Sequence, residues 1–230
     1  MSTSFDDRTC ARAAWRLALT IALGTLSYAV LRYIVFGQVA PAQLPLFVLN
    51  KAAAFTGAAL LASCLAVTPL MRVWPRLRPW GRLRKHLGLA GFAFSALHVL
   101  MNFTLMSPGY YAKLFGADGR MSFQGELAVL AGVLAFAALL LPAGTSVPAI
   151  RQGMAPERWM ALQRFSLLAL ALTGLHLAAL GVPTWLAPEK WPAGLPPITL
   201  IAAALVLTVL VARQLVQMPG KALVAKSRPK

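Results

Sequence analysis

Apolar residues run in six long blocks along this chain, over residues 13–36, 50–71, 86–106, 123–142, 162–182 and 196–217. Each is close to the ~20 residues an α-helix needs to cross the hydrocarbon core of a bilayer. The shorter blocks are completed by flanking polar and aromatic residues of the kind that sit at membrane interfaces. The blocks are continuous and lack the period-two alternation of a barrel strand. Backbone in lipid must satisfy its own hydrogen bonds, so helices are the reading that survives. No small-residue cleavage site follows the first block, which is therefore read as a spanning helix and not a signal peptide. The pattern predicts an all-α polytopic membrane protein built as a six-helix bundle. It is one domain over residues 1–230, with a core at about 13–217 and short basic tails. The proline-rich stretches Pro75 to Pro79 and Pro183 to Pro197 fall in predicted loops.

Composition supports the membrane reading. Of the 230 residues, 59% are hydrophobic and 12% charged, against roughly a quarter charged in soluble domains. A net charge of +16 would point a soluble protein toward nucleic acid. Here its distribution gives orientation instead. On one side lie Arg8, Arg12, Arg16, Arg72, Arg76, Arg78, Arg82, Arg84, Lys85, Arg151, Arg158, Arg164, Arg213, Lys221, Lys226, Arg228 and Lys230, 17 in all. The other side has five: Arg32, Lys51, Lys113, Arg120 and Lys190. With six spans, both termini are expected on the cytoplasmic side of a bacterial inner membrane. The basic loops also suit anionic lipid headgroups. Cys10 and Cys64 are the only cysteines. Their placement, one in the tail and one inside the second block, implies no disulfide framework.

The candidate chemistry is two histidines. His98 and His176 sit deep inside the third and fifth blocks. A polar ring in lipid is costly without a partner and marks a functional site by default. His98 lies 14 residues past Arg84, and His176 lies 13 past Gln163; these are rises of about 21 and 20 Å. Both helices run outward, so two parallel helices present one imidazole each at one depth, in the outer half of the core. Two such rings can ligate one metal between helices, and haem iron is the common membrane case. Gly91 and Ala169 each lie seven residues before a histidine, within about 20° of its face. Small side chains there would make room for a flat ligand, or equally for close helix packing. Asn102, four residues beyond His98, is a candidate partner of a haem propionate or of the ring's other nitrogen. His86 is about 120° out of phase and reads as interfacial. No dinucleotide-binding glycine fingerprint, P-loop, paired-carboxylate site or cysteine cluster is present. Redox chemistry would therefore come from a bound cofactor. The scarcity of acidic residues in the spans argues against a haem-free, ion-coupled transporter.

The segment Arg84-Lys85-His86-Leu87-Gly88-Leu89, followed by Phe92, Phe94 and Ala96-Leu97-His98-Val99-Leu100, resembles the third helix of STEAP-type metalloreductases. Thr145-Ser146-Val147-Pro148, Trp159 with Leu162-Gln163-Arg164, Leu175-His176-Leu177 and Leu195-Pro196-Pro197 resemble later parts of the same pattern. The resemblance covers roughly residues 50–217. The wider superfamily is the ferric reductase-like transmembrane domain, which includes NADPH oxidases and the haem-bearing subunit of bacterial periplasmic methionine sulfoxide reductase. Leu65-Ala66-Val67-Thr68-Pro69-Leu70 is similar to that subunit, whose pattern has histidine where this chain has Gln163.

The resemblance implies one b-type haem in the outer half, with His98 and His176 as axial ligands. It also implies a flavin, FAD or FMN, at the inner helix ends, near Arg84, Lys85, Gln163 and Arg164. A separate flavin reductase or other cytoplasmic donor would then supply electrons. The external acceptor would be a chelated ferric or cupric ion, with Tyr110, Tyr111, Lys113, Arg120, Lys190 and Trp191 as candidates for its mouth. STEAP-type enzymes are trimers, so a homo-oligomer is expected on the same ground. An alternative is a cytochrome b subunit feeding a separate periplasmic reductase.

Overall fold

The computed structural model describes residues 5–217. Six long helices are present: α1 Asp7–Val30, α2 Leu49–Val73, α3 Leu83–Leu105, α4 Phe123–Gly144, α5 Phe165–Trp185 and α6 Ile198–Gln217. Each lies in a segment long and apolar enough to cross a membrane. No named strand occurs among the described residues; one isolated bridge, Phe115 to Met121, closes the loop before α4. The protein is thus the predicted multi-pass α-helical membrane protein. Lys221, Lys226, Arg228 and Lys230 of the basic tail lie outside the described residues.

The helices overrun the apolar blocks where local chemistry allows. α1 starts six residues early because Asp6 caps it, accepting the Thr9 amide at 2.9 Å. That bond satisfies one of the orphan donors of the first turn. It also holds the Asp6 carboxyl below its ordinary range. The fifth span differs from the single continuous helix expected from about Met160. A short helix, Pro156–Gln163, ends before α5 begins at Phe165. At the joint the Arg164 amide bonds back to Ala161 at 3.2 Å, a tighter turn than the α-helix on either side.

A proline inside a helix frees the carbonyl four residues back, and at Pro69 and Pro183 another helix's side chain takes it up. Pro69 leaves the Leu65 carbonyl without its helical donor, and Arg213 Nη1 of α6 reaches it at 2.9 Å. Pro183 does the same for Ala179, and Gln124 Nε2 of α4 donates there at 2.5 Å. Each proline thereby becomes an interhelical tie, as lipid requires of any freed backbone group.

α2 is the central helix: half of its most apolar window is buried, against 17% for α3. α3 lies along α2 at very short range. A Cβ on Gly57 would stand 2.7 Å from Ser95 Oγ, and one on Gly91 would stand 3.0 Å from Leu61 Cγ. The main core joins Leu61, Ala62 and Leu65 of α2 to Leu139, Leu170 and Val206 of the later helices. A second cluster seats Ala14 and Ala18 of α1 on Leu60, Leu87 and Ala90. α4 and α5 pack along each other, while α3 meets α4 only sparsely. That leaves a seam between the α2–α3 and α4–α5 pairs. Both histidines face it.

Candidate functional site

His98 of α3 and His176 of α5 meet across this seam with ring centroids 6.4 Å apart and planes at 74°. Both rings are half-buried. His98 Nδ1 lies 2.7 Å from Asn50 Oδ1 of α2. His176 Nδ1 lies 2.7 Å from the Ala128 carbonyl of α4. An oxygen acceptor at each Nδ1 fixes the proton there. The lone pair is then on Nε2, the tautomer that binds metal.

Gly132 makes the second contact feasible. It is the residue whose amide would ordinarily bond Ala128 in the helix, so its α-carbon sits beside that carbonyl. A Cβ there would stand 2.8 Å from His176 Nδ1 and 3.1 Å from Cε1. The bare backbone lets the ring come down onto α4.

His98 has a wider support. Asn50 is 1% exposed, and its Nδ2 donates to the Tyr111 hydroxyl at 2.8 Å and to Asn102 Oδ1 at 3.2 Å. Burial raises the Tyr111 pKa, so its hydroxyl stays neutral. Asn102 Nδ2 bonds the His98 carbonyl at 2.8 Å and lies 3.2 and 3.3 Å from the two ring nitrogens. Near-equal distances place that amide over the ring face and not along either lone pair. Of the predicted site residues, His98, His176 and Asn102 thus come together. Asn50, Tyr111 and Gly132 complete the group; only Tyr111 had been singled out, and for another role. The available signals were one asparagine opening an apolar block and one glycine in an alanine-rich helix.

These residues fit a haem. Two imidazoles from facing helices, 6.4 Å apart at their centroids and each with an oxygen at Nδ1 that leaves the Nε2 lone pair free, are the donor set that would hold a haem iron. No group of three or more His, Cys, Asp or Glu able to hold a bare metal ion exists among the described residues. A haem needs only two protein ligands, because the porphyrin supplies the rest. On the side toward the basic loops, Phe92 and Phe136 stack across the same seam, 5.7 Å apart and 4° from parallel.

The remaining candidates divide. Gly91 and Ala169 are buried in helix–helix contacts, Gly91 against Leu61 and Ala169 in the main core. Lys85 pairs with Asp7 at 3.6 Å, and His86 lies 2.9 Å from the same carboxylate. Gln163 Nε2 donates to the Pro142 carbonyl at 3.1 Å and to Thr145 Oγ1 at 3.0 Å. It serves the orphan carbonyls at the end of α4. Arg164 is exposed, and Arg84 Nε is buried with no partner. At the opposite face Lys113, Lys190, Gln124 and Thr184 line a cavity of about 230 Å³. Leu180, also in its wall, is one turn beyond His176, so the cavity opens just outside the histidine pair. Trp191 braces its rim through the Thr184 carbonyl at 2.8 Å.

The Gln163 contacts carry a prediction. Gln163→Ala removes two partly buried hydrogen bonds, each worth about 1 kcal/mol. The variant is expected to lose about 1–2 kcal/mol and to unfold at a lower temperature in detergent. An unchanged melting curve would show that the amide does not tie α4 to the fifth span.

Residues 36–174 match the family model of the ferric reductase like transmembrane component. The match takes in His98, Asn50 and Gly132 and stops two residues before His176. No curated protein matches the chain. Domains of the matched family generally bind haem. With the match covering more than half of the sequence, and with six spans and a histidine pair between helices, the chain belongs to the ferric reductase-like transmembrane component family of membrane oxidoreductases.

Proposed function

We propose that this chain carries electrons across the membrane through a single b-type haem whose axial ligands are His98 and His176. The observation that carries the reading is the facing histidine pair, 6.4 Å apart with an oxygen acceptor at each Nδ1. A bound haem would supply the one-electron chemistry; the chain supplies position and environment. The α4 backbone orients His176, and Asn50 orients His98. The Phe92–Phe136 stack fills the seam on the basic side and keeps water from the ligands on that side. The excess of Lys and Arg on that side supports a cytoplasmic position for it in a bacterial inner membrane.

On this reading a reduced flavin, delivered by a separate reductase, donates at the basic face. An anionic acceptor such as a chelated ferric or cupric ion binds at the opposite face. Lys113 and Lys190, with Gln124 and Thr184 in the cavity wall, offer the charge and hydrogen bonds to hold it. The test is cofactor analysis of the purified chain followed by reduction assays. One haem b per chain, and reduction of chelated iron when reduced flavin is supplied, is the expected result. A colourless, well-folded preparation after expression with haem would refute it. Haem without iron reduction, together with co-purification of a periplasmic reductase, would instead make the chain that enzyme's membrane subunit.

The contact to His98 gives a milder prediction. Asn50→Leu keeps the branching of the side chain but removes the Nδ1 acceptor. Such partners of a metal-bound histidine are worth roughly 10–100-fold in affinity. Haem binding is expected to weaken within that range, and the midpoint potential to rise because the imidazole becomes a poorer donor. Titration of the reduced band against potential checks both.

A further inference from the structure

Among the described residues, only three buried side-chain polar atoms have no hydrogen-bond partner: Thr68 Oγ1, Arg84 Nε and Arg213 Nε. Their residues meet at one turn of α2. Cys64 Sγ of that turn donates to the Arg84 carbonyl at 3.1 Å. Arg213 Nη1 bonds the Leu65 carbonyl at 2.9 Å, which pins its guanidinium beside the turn. Thr68 is four residues past Cys64 on the same face. The charges of Arg84 and Arg213 act on one another.

Each of these facts is costly taken alone. A buried donor left without an acceptor loses its hydration for nothing, and like charges repel. Thr68 sharpens the point. Thr20, Thr25, Thr56, Thr173 and Thr208 all turn their hydroxyls onto the carbonyl four residues back. Thr68 makes no such bond. No carboxylate pairs with either arginine: the ion pairs among the described residues use Asp7 and Asp118, with Lys85, His86 and Arg120. Three unpartnered buried donors from three helices, two of them cationic, thus belong to residues gathered at residues 64–68 of α2.

We propose that Thr68, Arg84 and Arg213 form a phosphate site at the basic end of the bundle, between α2, α3 and α6. Guanidinium groups and a hydroxyl donate readily to phosphate oxygens. The level also fits, since Thr68 lies five residues from the end of α2 and Arg84 is the second residue of α3. That is the depth of the lipid phosphates, and a soluble phosphate ester such as a mononucleotide reaches it from the same side. The site stands on these residues and does not depend on the haem reading.

The test uses the full chain in an uncharged detergent, with melting temperature as the readout, because a ligand of the folded state raises it. The probes are inorganic phosphate, flavin mononucleotide and dioleoylphosphatidylglycerol. Potassium chloride at matched ionic strength and dioleoylglycerol are the controls. At least one phosphate-bearing probe is expected to raise the melting temperature, while neither control does. A response to the phospholipid alone identifies a headgroup; a response to phosphate or the flavin nucleotide identifies a soluble ester. Arg84→Gln is expected to weaken the responding probe about tenfold, the usual scale of a charge-assisted bond. Thr68→Val, which preserves shape, should weaken it by a few-fold and guards against an arginine variant that fails to fold. No response to any phosphate probe, or an equal response in Arg84→Gln and Thr68→Val, overturns the site.

Discussion

The double variant His98→Ala, His176→Ala is expected to fold in the membrane and to show no reduced b-type absorption band. Loss of the band follows from ligation, since no other histidine faces the seam; His86 is held by Asp7 at the basic end. Survival of the fold follows from what the rings leave behind. Both rings are only half-buried. Without His98, Asn50 keeps its bonds to Tyr111 and Asn102. Without His176, the Ala128 carbonyl remains within the continuous helix of α4. Few buried groups are orphaned, so the penalty that makes polar deletions severe is small here. The colourless variant should melt lower than the wild type only by the stabilisation that bound haem confers, and should match haem-free wild type. A band that persists in the double variant would remove the proposed ligation altogether.

Gly132→Ala is expected to have the next largest effect, with a sign opposite to that of helix propensity. Alanine in a helix interior is favoured over glycine by about 1 kcal/mol, so α4 alone would gain. The added methyl, however, would stand 2.8 Å from His176 Nδ1. The imidazole cannot then hold its 2.7 Å contact with Ala128. Overpacking of this kind costs about 1–3 kcal/mol, and the displaced ligand loses its tautomer-fixing partner, worth roughly 10–100-fold in affinity. Haem content should fall sharply while the protein remains inserted. Gly24→Ala is the matched control: nothing lies within 4 Å of a Cβ at that position. It should leave the spectrum untouched. Equal haem occupancy in Gly132→Ala and wild type would mean that the α4 backbone does not seat His176.

The spans could be read from the chain, because length and hydropathy are local properties. So could the shared level of the two histidines, which follows from counting residues along parallel helices. What touches each ring could not. Asn50 and His98 are 48 residues apart, as are Ala128 and His176; both contacts are set by which helices pack, and periodicity is silent on that. Gly91 shows the limit from the other side. Its phase relative to His98 is as counted, yet that face of α3 lies on α2, and Leu61 occupies the space a flat ligand would need. Gln163 stands out as a departure from a family pattern, but its use, binding the end of α4, depends on a break in the fifth span that composition does not reveal.

The two histidines answer to different kinds of partner, and this has an evolutionary consequence. The Ala128 carbonyl belongs to the main chain and is the same whatever residue occupies position 128. The amide facing His98 is a side chain, and single-base changes turn asparagine into aspartate, serine or histidine. Under the proposed ligation, a carboxylate there would draw the ring proton and enrich the iron, and a shorter hydroxyl would release it. His176 would then be a fixed anchor, and His98 a dial that selection can turn at position 50 to retune the driving force for a new donor or acceptor.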